Sequence, residues 1–202
     1  MVAMVGNDVV DLHDRSVATG PRHPRFDTRV FAPSEHRALR ESADANPLRW
    51  SFWAAKEAAY KVAKKLDDAT VWSPVRFVVR IDASGSGRVE HEGREFPVQV
   101  ETDAERVHAV ACDAAEALSK VRVRVAPLPA PDANPSAAVR DLAREDLAGV
   151  LGKRVEQLEI ARRGRIPVLR VAGEDAPLDL SLSHHGRFVA WATEPIACRS
   201  RA

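Results

Sequence analysis

Apolar and polar positions along this chain follow two periods. Residues 50–65 carry the helical one: Ala54, Ala55, Ala58, Ala59 and Val62 gather on one small-residue side, and Trp50, Trp53, Glu57 and Lys61 form the stripe beside it. Ala, Lys and Glu dominate this segment and Pro47 stands where a helix can begin, so local preference alone predicts a helix. Its small face would let the helix backbone press against a sheet. Residues 136–151 form a second helical run, with Val139, Leu142, Leu147, Val150 and Leu151 as its apolar positions and Gly152 as its stop. Ser34 ahead of Glu35 predicts a shorter helix over residues 34–42.

The period of two marks strands. Residues 5–10 predict a short buried strand bearing Asp8, and residues 75–81, 88–92, 96–101 and 107–112 predict an antiparallel sheet covered on one face. Residues 121–125 add one extended segment. Residues 155–160 form a short section before the basic cluster Arg162, Arg163 and Arg165, and residues 166–171, 178–182 and 188–192 predict three more strands. Pro21, Pro24 and Pro33 predict irregular loop over residues 14–31. Residues 126–136 hold four of the thirteen prolines, a density that suits neither helix nor inner strand. They predict a linker between a half of residues 1–125 and a smaller half of residues 137–202. Each half offers one long helix and several strands, so the fold class is α+β.

With 202 residues, 45% of them hydrophobic, the chain has material for one large or two small globular units. A net charge of +1 excludes a global pull toward nucleic acid or membrane and leaves only local electrostatic recognition. Cys112 and Cys198 are too few for a disulfide framework or a zinc site. No segment approaches membrane-spanning length and the start lacks the features of a signal peptide, so a cytoplasmic protein is expected. Locally the picture changes: between residues 12 and 40, Arg15, Arg22, Arg25, Arg29, Arg37 and Arg40 stand against Asp14, Asp27 and Glu35. The plain reading of that section is solvated loop. The sharper one is a docking surface for an acidic protein.

Glu57 and Lys61, one turn apart, read first as an i,i+4 surface pair worth about 0.2–0.5 kcal/mol. Their company argues otherwise. A stripe that includes tryptophan is partly buried, and a partly buried glutamate needs a cation, either a lysine or a metal. Asp8, taken alone, is an Asx turn or an edge residue, and His184, taken alone, is structural.

Three motifs stand apart in sequence: Gly6-Asn7-Asp8-Val9-Val10-Asp11, the helix from Trp53 through Lys56-Glu57 to Lys61, and Leu180-Ser181-Leu182-Ser183-His184. Together they resemble the signatures of the 4'-phosphopantetheinyl transferases: a Gly-x-Asp strand, a Trp-x-x-Lys-Glu-x-x-x-Lys helix and a Ser-His turn after a strand. The resemblance covers most of the chain. It implies two similar α/β halves about a pseudo-twofold axis with the active site between them. It also implies Mg²⁺-dependent transfer of 4'-phosphopantetheine from coenzyme A to a serine of an apo acyl or peptidyl carrier protein, releasing adenosine 3',5'-bisphosphate. This is the holo-[acyl-carrier-protein] synthase activity.

By the same resemblance, Asp8 and Glu57 match the metal-binding carboxylates, and Lys61 matches the lysine that meets the reacting phosphate. His184, with Ser183, matches the contact to the phosphates of coenzyme A. Gly164-Arg165-Ile166-Pro167 stands loosely for a Gly-Lys-Pro nucleotide element, which makes Arg165 a nucleotide contact and Arg163 a secondary one. Glu57 or a metal-bound water would take the serine proton, and the carrier would dock on the basic section 15–40. Val10 replaces the third acid of the two-half members. The motif order also departs from theirs, beginning at Gly6-x-Asp8 and ending just past Ser183-His184. It implies a circular permutant, a monomeric pseudo-dimer with adjacent ends and the proline-rich tract as its new connection. The rival is an enlarged synthase-type subunit that assembles as a trimer. A metal-dependent phosphohydrolase using Asp8 and Glu57, and a non-catalytic carrier-binding relative, are the functional alternatives.

Overall fold

The computed structural model describes residues 3–18, 23 and 25–194. The chain starts with strand β1 (Val5–Asp11), followed by three short helices, α1 (Arg15–Ala18), α2 (Phe26–Val30) and α3 (Pro33–Glu41), and by the long helix α4 (Ala45–Leu66). Strands β2 (Val78–Ile81), β3 (Ser86–His91), β4 (Arg94–Thr102) and β5 (Arg106–Cys112) complete an antiparallel sheet in the order β1-β5-β4-β3-β2. Helices α1 and α2 lie within the section where a loop is expected. Pro21, Arg22 and Pro24 fall outside the described residues.

Helix α4 starts two residues ahead of Pro47, because Asp44 caps it by accepting a hydrogen bond from the Asn46 amide (3.3 Å). Its small face is used as the spacing predicts: Ala54, Ala55, Ala58, Ala59 and Val62 are fully buried against β1, β5 and β4. Gly6 is what permits that approach. A methyl group there would fall inside van der Waals contact of the Ala58 carbonyl oxygen, which is helix backbone and cannot yield.

A buried ion pair holds the other side of α4. Lys56 and Glu35 are both fully buried, 2.8 Å apart, and the Lys56 ammonium also donates to the Pro74 and Phe77 carbonyls. Glu35 takes the amides of Ala32 (2.7 Å) and Val79 (2.6 Å) besides, so every charge in the pair is hydrogen-bonded.

After the short helix α5 (Ala115–Leu118) come β6 (Arg122–Pro127), α6 (Pro135–Leu151), β7 (Leu158–Arg163), β8 (Ile166–Val171), β9 (Glu174–Asp175), β10 (Leu180–His185) and β11 (Phe188–Thr193). The α6 cap is Asn134, whose side chain accepts from the Ala137 amide, and Gly152 ends the helix in the left-handed conformation at φ 61°. The strands pair as β10-β11-β6 and β7-β8-β9, with β8 lying beside β10.

The two halves therefore repeat one plan: a strand, a long helix, then four principal strands, with the first strand paired to the last. This corrects the expected boundary. β6 pairs with β11 and is the first strand of the second half, so the proline-rich tract 126–136 joins a strand to a helix within that half. The link between halves is the shorter stretch of residues 113–121.

The halves meet where the free edge of β1 runs parallel to the free edge of β10. Side chains make the contact. The amides of Val5, Asn7 and Asp11 donate to Asp179 Oδ2 (2.7 Å), Ser181 Oγ (2.9 Å) and His185 Nδ1 (3.1 Å). Lys65 closes one end, its ammonium donating to Val5 O, Asp179 Oδ2 and Leu180 O. The Ala3 amide donates to Glu194 Oε2 (2.8 Å), so the described ends of the chain touch. Residues beyond them, including Cys198, fall outside the described region. Among the described residues no helix is long and apolar enough to cross a membrane.

Two glycine substitutions test this packing in opposite directions. Gly6→Ala should cost about 3 kcal/mol, since the new methyl must push helix and strand apart. Gly149→Ala, on an α6 position with nothing within 4 Å of the added methyl, should add about 0.5–1 kcal/mol. Urea unfolding of both variants checks the pair; a Gly6→Ala protein as stable as the parent would remove the close approach.

Candidate functional site

The close contact of α4 with β1 decides where the ionisable side chains go. Lys61 does not turn back to Glu57 as an i,i+4 pair would. It reaches across to the strand, donating to the Asn7 carbonyl (2.7 Å) and to Asp8 Oδ1 (3.0 Å). Glu57, one turn earlier on the same stripe, is half-buried. Its carboxyl is pushed up to about 7, first by burial and then by the Asp8 charge, with Lys61 pulling the other way. Burial also raises the Asp8 carboxyl against the opposing pull of Lys61, His185 and His184. Trp50 is buried at the far end of the stripe, so the reading of that face as partly covered holds.

Ser183 and His184 lie inside β10, which continues to His185; the turn falls at Gly186-Arg187. Strand alternation then separates the two residues. Ser183 is buried and its Oγ accepts from Asn7 Nδ2 (3.2 Å), whereas His184 is exposed toward a groove of about 140 Å³ shared with Ser136, Arg140, Arg162, Arg165 and Pro167. Burial lowers the His184 imidazole, and the Lys61 ammonium lowers it further, which places that histidine within reach of the same field as Asp8. The charges of Lys61 and Asp8 in the first half thus act on His184 in the second.

Of the two arginines singled out in the basic cluster, Arg165 lines the groove. Arg163 does not: its guanidinium is bound to Asp175 (2.5 Å), and its neighbour Arg162 takes the groove position. Arg140 was not foreseen. The helical period of α6 was legible from its apolar side, and the same period puts Arg140 and Arg144 one turn apart, flanking a second groove of about 400 Å³ with Ala137, Leu158 and Ile160.

No group of three or more metal-ligating side chains occurs among the described residues. Mg²⁺ does not require one, since it keeps several waters and takes one or two carboxylates plus substrate phosphate. Asp8 and Glu57 fit that demand. The Asp8 charge raises the proton affinity of Glu57, and a divalent cation between the two would relieve that repulsion.

Three further features escape sequence reasoning. Asn7 is fully buried and its Nδ2 also approaches His108 Nε2 at 3.4 Å, while its Oδ1 has no partner among the described residues. Asp11 is buried beneath Gly186 and binds the Arg187 guanidinium at two atoms (2.8 Å each), which holds its carboxyl down at about 2 against the cost of burial. In the basic section Arg15, Arg25, Arg29, Arg37 and Arg40 are exposed, but two of the three acids counted against them are occupied: Glu35 is buried with Lys56, and Asp27 binds Arg49. That surface is more basic than its residue count suggests.

A family model for the 4'-phosphopantetheinyl transferase superfamily matches residues 4–115. Among solved structures, the apo-ACPS of Chronobacterium ammoiniagenes is similar at 18% identity and a TM-score of 0.43, over 55% of this chain and 95% of that one. The holo-[acyl-carrier-protein] synthase (AcpS) of Thermotoga maritima is similar at 15% identity and a TM-score of 0.35, over 87% of this chain and 86% of that one. No curated protein matches it.

The buried imidazole beside Asn7 yields a pH prediction. Burial, then Arg106 and Lys61, lower the His108 value from 6.5 to about 4. A folded value below the unfolded one means stability that is full above about pH 6.5 and is lost as pH falls toward about 4. The loss should approach about 3 kcal/mol. Chemical unfolding across that window measures it, and His108→Phe should flatten the slope; an equally steep slope in the variant would contradict the assignment.

Proposed function

From a chain that belongs to the 4'-phosphopantetheinyl transferase superfamily, we propose an enzyme that moves 4'-phosphopantetheine from coenzyme A to a serine hydroxyl of an apo carrier protein, with Mg²⁺, releasing adenosine 3',5'-bisphosphate. The observation that carries this reading is the Lys61–Asp8 ion pair, 3.0 Å long, at the junction where β10, the strand of His184, meets β1.

Asp8 and Glu57 would hold the metal, which when bound neutralises phosphate charge that no side chain here could balance alone. Lys61 keeps a fixed ammonium at the reacting phosphate, where charge builds as the pyrophosphate bond breaks. Either Glu57 or a water at the metal site would take the serine proton. His184, Arg140, Arg162 and Arg165 would take the phosphates of coenzyme A, and the adjoining groove by Arg144, Leu158 and Ile160 its adenosine.

We read the chain as a permuted two-half enzyme acting as a monomer. The contact between Ala3 and Glu194 supports this, since joining the ends there would restore the usual motif order.

Intact-mass measurement of apo carriers after incubation with coenzyme A and Mg²⁺ tests the reaction. Asp8→Ala and Glu57→Ala should abolish modification, and Lys61→Ala should lower kcat by about 10²–10³ while changing coenzyme A affinity far less. Release of product from coenzyme A without any carrier would favour the phosphohydrolase instead. A loss confined to affinity in Lys61→Ala would make that residue a binding group.

The exposed arginines of α1 to α3 supply the docking reading, because carrier proteins of acidic surface would be steered toward them. Reversing Arg25 and Arg29 together should slow carrier association about tenfold at low salt and much less at high salt. Unaltered carrier kinetics at low salt would return that surface to ordinary solvated helix.

A further inference from the structure

β1 and β10 are each the edge of their own sheet, and they face one another without a backbone ladder. The contacts at Val5, Asn7 and Asp11 reach Asp179, Ser181 and His185, a constant offset of 174 positions. In that register Ser183 stands opposite Val9. Its Oγ is turned instead to the side-chain amide of Asn7, and both groups are buried. Asn7 thereby touches three elements. Its carbonyl holds Lys61 of α4, its side chain meets His108 of β5, and its amide and side chain meet Ser181 and Ser183 of β10.

The Oδ1, which has no partner among the described residues, makes this amide costly. A buried acceptor without a donor is destabilising, and an apolar residue would avoid it. What the amide provides is the tie next to His184. Leu182 and His184 face the arginine groove, whereas Ser183 faces away from it.

We infer that Ser183 acts through Asn7 and not on the substrate: the Asn7–Ser183 hydrogen bond is a positioning contact that keeps His184 and its arginine groove set against Asp8 and Lys61. This rests on the transfer reading above. Asn7 and Ser183 are positioning residues, and their removal should loosen the phosphate groove relative to the metal-binding carboxylates.

A double-mutant cycle tests it. Coenzyme A binding is measured by calorimetry without carrier, and kcat and KM with an apo carrier, for Asn7→Ala, Ser183→Ala and the double variant. Each single variant should weaken coenzyme A binding by about tenfold, with KM affected more than kcat, and the double variant should be no weaker than the worse single one. Ser183→Thr, which keeps the hydroxyl, should bind within about twofold of the parent. Effects that multiply would mean that Ser183 meets the substrate itself, and unchanged binding in the singles would mean that the tie positions nothing; either overturns the inference alone. If Asn7→Ala does not fold by circular dichroism, Asn7→Ser takes its place in the cycle. A parent protein that binds no coenzyme A would overturn the transfer reading with it.

Discussion

The distance between one helix and one strand governs the cleft. Gly6 lacks a side chain and α4 faces it with Ala54, Ala55, Ala58, Ala59 and Val62, so the backbones come close at the Ala58 carbonyl. From that spacing two lysines one turn apart, Lys61 and Lys65, reach the carbonyls of Asn7 and Val5 along β1. A larger residue at any of these positions would lift the helix, and both ammonium groups would lose the strand. The small residues are thus as much part of the site as the charged ones.

The rotation of α4 about its axis is set from the opposite side. Lys56 is committed to Glu35 and to two backbone carbonyls in a fully buried pocket. Burial pulls its ammonium below the ordinary range and Glu35 pulls it back. Such a pair contributes little net stability against an apolar replacement, but it admits only one geometry. With Lys56 fixed inward, the next residue, Glu57, is turned to the cleft.

Much of this was legible in the residues. Helical spacing put Trp50, Trp53, Glu57 and Lys61 on one stripe, and the burial of Trp50 and the raised Glu57 carboxyl follow from it. Alternation found strands such as β3 and β4, whose burial alternates, whereas β1, β5 and β11 are buried along nearly their whole length. The partners of buried charges were not legible: Glu35 and Lys56 are twenty-one positions apart and each looks like an ordinary surface residue. Ser183 and His184 read as a turn because a short motif carries no signal of where its strand stops. The proline-rich tract misled for a related reason. Prolines exclude helix and inner strand, yet say nothing about which elements a tract joins, and β6 tolerates Pro127 at its end.

The junction of the halves has a consequence for how such a chain can change. A sheet continued by backbone pairing accepts almost any residue except proline, and for that reason also accepts wrong partners. Here recognition between the edges is written in Asp179, just before β10, and in Ser181, Ser183 and His185 on it, and in Asn7 and Lys65 on the other side. Each letter can be altered singly, so the angle and tightness of the cleft are open to gradual adjustment by substitution. Foreign strands lacking those letters find no adhesive edge.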